Sequence, residues 1–250
     1  MSPAPENPIR ITAYFDFMCP WSYLGRVRLL RAITRAKIKH PHLEWIPFQL
    51  YEHHPSHTIQ REKIIGHSHL NQVYARLHEL AARENIVILH PQYEASSRRA
   101  LTGFLYAQKK GTGEKYLDEM FEQAFEHTSN IASIPLLRRV AIKLGFPIDE
   151  FLAFVENKEN QHHIHVLTEQ AKHEGVRGVP TYLMNHLPVT GALEVNDLVN
   201  ILQTLRKHML PAYVIEKNAA ATSKPKKRLR KIAAQKKPPN KKPKTKPKKR

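Results

Sequence analysis

Apolar and polar positions along the chain first suggest a strand, a helix and a second strand. IRITAYFDF (residues 9–17) is rich in β-branched and aromatic residues, which predicts a strand. The segment that begins at Pro20 has apolar residues at helical spacing from Leu24 to Ile33, and proline is favoured at the first position of a helix. HLEWIPFQL (residues 42–50) predicts the second strand. A helical crossover between them favours a parallel pair with a right-handed connection.

The pattern changes in the middle of the chain and returns near its end. Residues 55–173 have apolar positions three or four apart, which predicts about five helices with no strand between them. VRGVPTYLMN (residues 176–185) and LPVTG (residues 187–191) predict two strands joined by an Asn-His turn. A last helix is predicted from about Glu194. The order β-α-β, helices, β-β-α predicts a small mixed sheet interrupted by a helical insertion.

The charge is concentrated at one end of the chain. The formal net charge is +18, but 16 lysines and arginines and no acidic residue lie in residues 217–250, which leaves only +2 for the rest. The end of the chain is rich in lysine and proline and cannot bury enough apolar surface to offset chain entropy, so residues 211–250 are predicted to be a disordered tail. The remainder is predicted to consist of residues 1–54 and 174–210, which form the two halves of one α/β fold, and residues 55–173, which form the insertion.

The basic tail suggests a polyanionic partner. A lysine-rich arm neutralises phosphates without reading base sequence, so the tail is predicted to bind nucleic acid or another polyanion. An anionic membrane surface is an alternative partner. The segment from Pro225 to Lys231 would act as a nuclear localisation signal in a eukaryotic cell.

Cys19 is the only cysteine among 250 residues, so no intramolecular disulfide can form. Free thiols suit a reducing compartment. The N-terminus has no apolar run long enough for a signal peptide, and no segment approaches the length of a membrane span. These features predict a cytoplasmic protein.

Cys19 lies between the first strand and the first helix, in the sequence Cys-Pro-Trp-Ser. Unpaired backbone N–H groups and the helix dipole favour a thiolate there, which predicts a pKa below the ordinary value for cysteine. Pro20 and Trp21 would form a partly exposed rim around the sulfur. Ser22 can donate a hydrogen bond to a thiolate but cannot resolve a mixed disulfide. Resolution must therefore come from a thiol outside the chain, either glutathione or a substrate thiol.

The motifs FDFMCPWSYLG and GVRGVPTYLMNHLPVTGA together resemble the DsbA-like thioredoxin family. The first is similar to the D-x-x-C-P-W-C-Y-x-G signature of its FrnE-like branch, with serine in place of the second cysteine. The resemblance implies an α/β thioredoxin fold with an inserted all-helical domain, and a role for Cys19 as the nucleophile that attacks disulfides. It also implies that Pro180 is a cis-proline beside Cys19, and that Val179 offers its backbone N–H and C=O to a peptide or to glutathione.

The predicted site has two parts. Cys19 and Ser22 are the predicted catalytic residues, and Pro20 supports them. Substrate binding is predicted at four residues: Trp21, Val179, Pro180 and Thr181. Thr181 could equally be only a strand-favouring residue.

Three functions are open on this evidence. The first is a thiol–disulfide oxidoreductase that works through Cys19 alone, with glutathione as co-substrate and no tightly bound cofactor. The second is a glutathione-dependent isomerase or transferase, because 2-hydroxychromene-2-carboxylate isomerases and kappa-class glutathione transferases share the fold and have a serine where Cys19 stands. The third is a non-catalytic scaffold held on nucleic acid by the tail. The oligomeric state stays open, with a dimer possible.

Sixteen histidines raise the question of a metal site. Their clusters lie at residues 52–57, 67–69 and 162–165. None has the ordered ligand spacing of a zinc site, so they are predicted to be exposed residues of the insertion, with no bound metal.

Overall fold

The computed structural model of the protein describes residues 9–51, 59–60, 67–89, 91 and 93–208. Its elements are β1 (Arg10–Phe15), α1 (Pro20–Arg35), β2 (His42–Pro47), β3 (Ile59–Gln60), α2 (His67–Arg83), β4 (Tyr93–Glu94), α3 (Arg98–Lys109), α4 (Gly113–Phe125), α5 (Ile134–Leu144), α6 (Ile148–Glu156), α7 (Lys158–His173), β5 (Thr181–Met184), β6 (Leu187–Thr190) and α8 (Val195–His208). The predicted order of a β-α-β unit, a helical segment and a β-β-α unit is confirmed.

Four strands form one mixed sheet in the order β2-β1-β5-β6. β1 is parallel to β2, with Tyr14 opposite Ile46, and antiparallel to β5, with Tyr14 opposite Thr181. β5 and β6 form a hairpin whose turn residues, Asn185 and His186, have φ angles of 48° and 71°. Positive φ at both positions is typical of a two-residue hairpin turn, and asparagine adopts it readily. Because β1 and β5 are antiparallel, the carboxyl end of β1 lies beside the start of β5.

The segment between β2 and β5 differs from the prediction in two respects. Six helices, α2 to α7, are described there instead of about five. A two-stranded sheet is also present, in which β3 and β4 pair antiparallel. The prediction of helices alone was wrong because strands of two residues are too short to produce an alternating pattern. The strand predicted at residues 176–185 is also shorter, because the chain before β5 forms a loop that ends at Pro180.

A cluster of phenylalanines attaches the carboxyl end of β1 to the helices of the insertion. The ring centroid of Phe15 lies 5.0 Å from that of Phe104 on α3 and 6.1 Å from that of Phe121 on α4. The ring centroids of Phe17 and Phe121 are 5.0 Å apart, and all three contacts are edge to face. All four rings are buried. Edge-to-face packing of buried rings contributes beyond the area that it removes from water. The chain on either side of Asp16 is therefore fixed immediately before Cys19.

A buried ion-pair network holds α1 against α2 and α8. The guanidinium of Arg28 is 1 % exposed; its Nε lies 2.9 Å from Glu84 and its Nη2 lies 3.0 Å from Glu194. Its Nη1 also donates to the carbonyl of Ala192 at 2.9 Å. Arg31 lies 2.6 Å from the second oxygen of Glu84. Glu84 therefore pairs with two arginines of α1 at once, and Glu194 supplies the second negative charge.

Replacing Glu84 by glutamine is expected to destabilise the protein strongly. Glu84→Gln leaves the buried Arg28 with Glu194 as its one remaining carboxylate partner among the described residues, and breaking a buried pair in this way costs about 3–5 kcal/mol. In a domain of this size the loss lowers the melting temperature by roughly 6–20 °C. Thermal unfolding followed by circular dichroism measures it, with Glu79→Gln on the exposed face of α2 as the matched control. Equal melting temperatures for the two variants would show that the network is not a major source of stability.

Several predictions lie outside the described residues. These are the tail at residues 211–250, the segment from Pro225 to Lys231 and the histidine cluster at residues 52–57. The histidines at residues 67–69 begin α2, but their side chains also lie outside the described part. In the ranges that are described, no helix is both long enough and apolar enough to cross a membrane.

Candidate functional site

Cys19 caps the N-terminus of α1. Its backbone is extended, with φ −98° and ψ 107°, and Pro20 occupies the first turn as predicted. The Cys19 N–H donates to the carbonyl of Asp16 at 3.1 Å, and the Ser22 N–H donates to the carbonyl of Cys19 at 2.9 Å. These bonds form a tight turn between β1 and α1. The thiol therefore lies at the start of the helix, as the sequence pattern predicts.

The loop before β5 meets Cys19 from the opposite side. The Val179–Pro180 peptide bond is cis, as the resemblance implied. The Cys19 thiol donates a hydrogen bond to the carbonyl of Val179, with Sγ 3.3 Å from the oxygen. The Thr181 hydroxyl donates to the carbonyl of Gly178 at 2.7 Å, which closes the loop around the proline. The structure thus brings together two segments that are far apart in sequence.

The other predicted site residues occupy different environments. Ser22 and Pro20 are buried beside Cys19, whereas Trp21 is half-buried and packs against the main hydrophobic core. Thr181 is 3 % exposed, and the hydrogen bond that it makes to its own loop gives it a supporting position. Val179 is half-buried. A substrate-binding role for Trp21 and Thr181 stays a prediction.

The expected low pKa of Cys19 is not found. Burial raises the pKa of the thiol above its ordinary value, and the side chain is only 6 % exposed. Hydrogen bonds from the Ser22 side chain and the backbone N–H groups of Ser22 and Trp21 lower the pKa, and the negative charge of Asp16 raises it further. Desolvation is the largest of these effects, so it outweighs the helix start. At rest the sulfur is a protonated thiol that donates to Val179.

Asp16 is a functional candidate to which sequence reasoning gave no role. Its carboxylate is fully buried. One oxygen accepts the Met18 N–H at 3.0 Å and the other accepts the Leu50 N–H at 2.7 Å. It therefore holds the turn that carries Cys19 and joins it to the chain after β2. The aspartate three positions before the cysteine in FDFMC was the available signal.

Gly25 is a second residue that the sequence alone did not single out. A Cβ atom at this position would lie 2.9 Å from Cγ of Pro180 and even closer to the hydroxyl of Tyr182. The hydroxyl of Tyr182 is buried and has no hydrogen-bond partner among the described residues. Burial raises the pKa of Tyr182 above its ordinary value. Glycine thus allows the cis-proline loop to pack directly on α1.

The described histidines give no metal site. The rings of His162 and His165 lie 5.7 Å apart on α7. Within the described part of the chain, no group of three or more histidine, cysteine, aspartate or glutamate side chains is arranged to hold a metal ion.

The pKa effects at Cys19 predict opposite shifts in two variants. Ser22→Ala removes a hydrogen bond that lowers the pKa, so the pH profile of Cys19 alkylation by iodoacetamide is expected to move to higher pH. Asp16→Asn removes a charge that raises the pKa, so the profile is expected to move to lower pH. Asp149→Asn, at an exposed carboxylate on α6, serves as the control and leaves the profile in place. Shifts in the same direction for Ser22→Ala and Asp16→Asn would contradict this assignment of causes.

A mixed sheet of this order, with a helix-capping cysteine packed against a cis-proline loop, defines a thioredoxin-fold protein. The model of the DSBA-like thioredoxin domain matches residues 10–203. The chain belongs to this family, and its fold is that of the DsbA-like thiol oxidoreductases, as the sequence motifs predicted.

Solved structures with the same fold belong to proteins named for different activities. A probable DsbA oxidoreductase from Streptomyces coelicolor has a TM-score of 0.72 and 18% identity, over 81% of this chain and 92% of its own. A 2-hydroxychromene-2-carboxylate isomerase has a TM-score of 0.63 and 21% identity, over 86% of this chain and 100% of its own. The cytosolic disulfide reductase DsbM from Pseudomonas aeruginosa, solved with glutathione, has a TM-score of 0.56 and 15% identity, over 79% of this chain and 99% of its own. At these identities the likeness establishes the fold.

Proposed function

We propose that this protein is a thiol–disulfide oxidoreductase that works through Cys19 alone and uses glutathione as its second thiol. The observation that carries the proposal is the position of the single thiol. It caps α1, lies 3.3 Å from the carbonyl that precedes a cis-proline, and has Ser22 where a resolving cysteine would stand. A cysteine so placed can form a mixed disulfide, but its own chain offers no second thiol.

The proposed reaction has two exchanges, here written for a mixed disulfide between a substrate thiol and glutathione. The Cys19 thiolate attacks the glutathione sulfur, the S–S bond breaks, and the substrate leaves as a thiolate that takes up a proton. A second glutathione thiolate then attacks the Cys19–glutathione disulfide. Cys19 is released and protonated again, and oxidised glutathione leaves. Overall, the mixed disulfide and one glutathione thiol give the substrate thiol and oxidised glutathione, so the substrate sulfur is reduced as the sulfur of the incoming glutathione is oxidised.

The position of the Val179 carbonyl fits this sequence of events. In the resting state it accepts the hydrogen of the Cys19 thiol. An extended peptide or the glutathione backbone that pairs with Val179 would compete for the same carbonyl. Binding would then remove the acceptor that favours the protonated thiol, so ionisation of Cys19 is coupled to arrival of the substrate. Ser22 stabilises the thiolate once it forms.

A glutathione co-substrate is supported by chemistry and by one comparison. External resolution of the mixed disulfide requires a small, abundant thiol. DsbM, which shares this fold, is a cytosolic disulfide reductase that was solved with glutathione. The reducing compartment proposed for this chain agrees with its single free cysteine.

One observation favours a second function. Burial raises the pKa of Cys19, so the protonated thiol can donate a hydrogen bond to the sulfur of a bound glutathione, as a serine hydroxyl would. Cys19 would then activate glutathione without reacting itself. The fold shared with 2-hydroxychromene-2-carboxylate isomerase makes isomerisation or glutathione transfer the corresponding chemistry.

Two assays with the full chain separate these functions. The first follows reduction of bis(2-hydroxyethyl) disulfide by glutathione, coupled to glutathione reductase. The second follows glutathione-dependent isomerisation of 2-hydroxychromene-2-carboxylate. The proposal predicts turnover in the first assay that depends on Cys19. If turnover occurs only in the second assay and is retained in Cys19→Ser, the protein is an isomerase and the oxidoreductase proposal is wrong.

A further inference from the structure

A second cavity, of about 570 Å³, lies where the last turns of α1 and α2 meet the start of α8. Three arginines line it: Arg31 and Arg35 on α1, and Arg83 on α2. Arg35 comes 16 residues after Cys19, which corresponds to about 24 Å along a helix that rises 1.5 Å per residue. The cavity is therefore separate from the thiol site.

The two carboxylates that line this cavity, Glu84 and Glu194, are already balanced by arginines. Glu84 lies 2.9 Å from Nε of the buried Arg28 and 2.6 Å from Nη1 of Arg31. Glu194 lies 3.0 Å from Nη2 of Arg28. Two glutamates thus neutralise two arginines, and neither carboxylate is left to balance a further positive charge.

Arg35 and Arg83 carry the charge that is left over. Arg35 is exposed in the last turn of α1 and makes no ion pair with a carboxylate among the described residues. Arg83 lies 2.5 Å from Glu79, but the same carboxylate also pairs with Arg76 at 2.6 Å, so one negative charge is shared by two arginines. These exposed contacts hold the arginines weakly. The cavity therefore offers two guanidinium groups to an anion from outside the chain.

The chemistry of these groups favours a phosphate monoester. A guanidinium group binds two oxygens of one anion with parallel hydrogen bonds. A phosphate monoester has three terminal oxygens and up to two negative charges, which matches guanidinium groups on two helices and two unbalanced positive charges. A carboxylate or a phosphodiester has one charge and two such oxygens. The first backbone N–H groups of α8 add donors, because Val195 and Asn196 line the same cavity.

We infer that this cavity binds a small organic phosphate, and that the bound phosphate joins α2 of the insertion to α1 and α8. A volume of about 570 Å³ lies within the range of small-molecule sites and leaves room for a sugar-sized body attached to the phosphate. This site goes beyond the proposed function, because no step of the disulfide exchange uses it.

The first experiment locates a bound phosphate by hydrogen–deuterium exchange and mass spectrometry. The full chain is compared with and without millimolar glucose 6-phosphate at equal ionic strength. Slower exchange is expected in peptides that cover the last turns of α1 and α2 and the start of α8. Peptides from residues 211–250 are followed in the same samples, so binding to the lysines there is seen separately. Protection confined to those residues, or no protection at all, would overturn the inference.

The second experiment measures the affinity for glucose 6-phosphate by isothermal titration. Arg35→Gln with Arg83→Gln is compared with Arg138→Gln with Arg139→Gln, which removes the same charge from two exposed positions on α5. The end of the chain is identical in both proteins, so its contribution cancels. Loss of the charge-assisted hydrogen bonds is expected to raise the Kd at least about tenfold above that of the control. Equal Kd values would refute the site. Arg35→Gln alone breaks no described ion pair and gives the same test if the double variant does not fold.

Two competitors test the choice of anion. Citrate carries carboxylates only, and a DNA duplex without terminal phosphates carries phosphodiesters only. Neither is expected to protect the start of α8 from exchange as strongly as glucose 6-phosphate does. Stronger protection by citrate would make the cavity a carboxylate site, and stronger protection by the duplex would make it part of a nucleic-acid interface. Either result would contradict the assignment of a phosphate monoester.

Discussion

Replacement of Cys19 by serine is expected to abolish thiol–disulfide exchange by this protein. A serine hydroxyl cannot form the mixed disulfide, and the chain has no other sulfur nucleophile of this kind. The rate of glutathione-dependent reduction of bis(2-hydroxyethyl) disulfide should fall at least about 10³-fold, the scale on which enzymes lose rate when a covalent nucleophile is removed. The coupled assay with glutathione reductase measures the loss.

The same variant distinguishes chemistry from folding. Serine is close in size to cysteine and can still donate a hydrogen bond to the carbonyl of Val179, so the melting temperature should change little. Ala75→Leu, at an exposed position on α2, is the control and is expected to keep full activity. The activity and the melting temperature of Cys19→Ser are compared with those of this control and of the wild-type protein. Retention of the wild-type reduction rate in Cys19→Ser would mean that the thiol is a buried structural residue.

Replacement of Gly25 by alanine is expected to cause the second largest loss. The added methyl group would lie 2.9 Å from Cγ of Pro180 and closer still to the hydroxyl of Tyr182, so α1 and the cis-proline loop must separate. That movement displaces the carbonyl of Val179 from the sulfur of Cys19, and a misplacement of about 1 Å costs about 10²-fold in rate. The expected result is a comparable fall in kcat/KM for disulfide reduction.

Gly178→Ala is the matched control for this prediction. It lies two residues before Pro180 in the same loop, but a Cβ atom there would meet no atom of the described residues within 4 Å. Its activity should stay near the wild-type value. Equal losses in the two variants would show that the loop is sensitive to any side chain, and that the close packing of Gly25 on Pro180 is not the cause.

The sequence predicts local features well where a short motif determines them. Pro20 specifies the start of α1, and Asn185-His186 specifies the hairpin turn, because each position has a backbone geometry that these residues favour. The resemblance also implied the cis bond before Pro180, which the structure contains. The same motifs brought Cys19 and the Val179 carbonyl into one predicted site.

The features that the sequence did not predict depend on what the rest of the fold places around a residue. The pKa of Cys19 is raised because the packed site removes water from the sulfur, and no local motif specifies that burial. Gly25 is required by the approach of Pro180, which comes from a distant part of the chain. The β3–β4 pair was not predicted because strands of two residues are too short to show an alternating pattern.

The raised pKa makes ionisation of Cys19 a necessary step before any disulfide exchange, because the thiolate and not the thiol is the nucleophile. Because the folded-state pKa lies above the ordinary value, the rate of Cys19 alkylation in the free protein should keep rising with pH beyond the range in which an exposed cysteine has reached its plateau.

The most direct test of the account is the fate of a disulfide between Cys19 and glutathione. The full chain is treated with oxidised glutathione, separated from excess reagent, and followed by intact mass spectrometry. The account predicts one glutathione per chain, an adduct that persists without added thiol, and release at a rate proportional to the concentration of reduced glutathione. Absence of the adduct, or its release without any added thiol, would contradict the claim that Cys19 is a nucleophile whose disulfide is resolved from outside the chain.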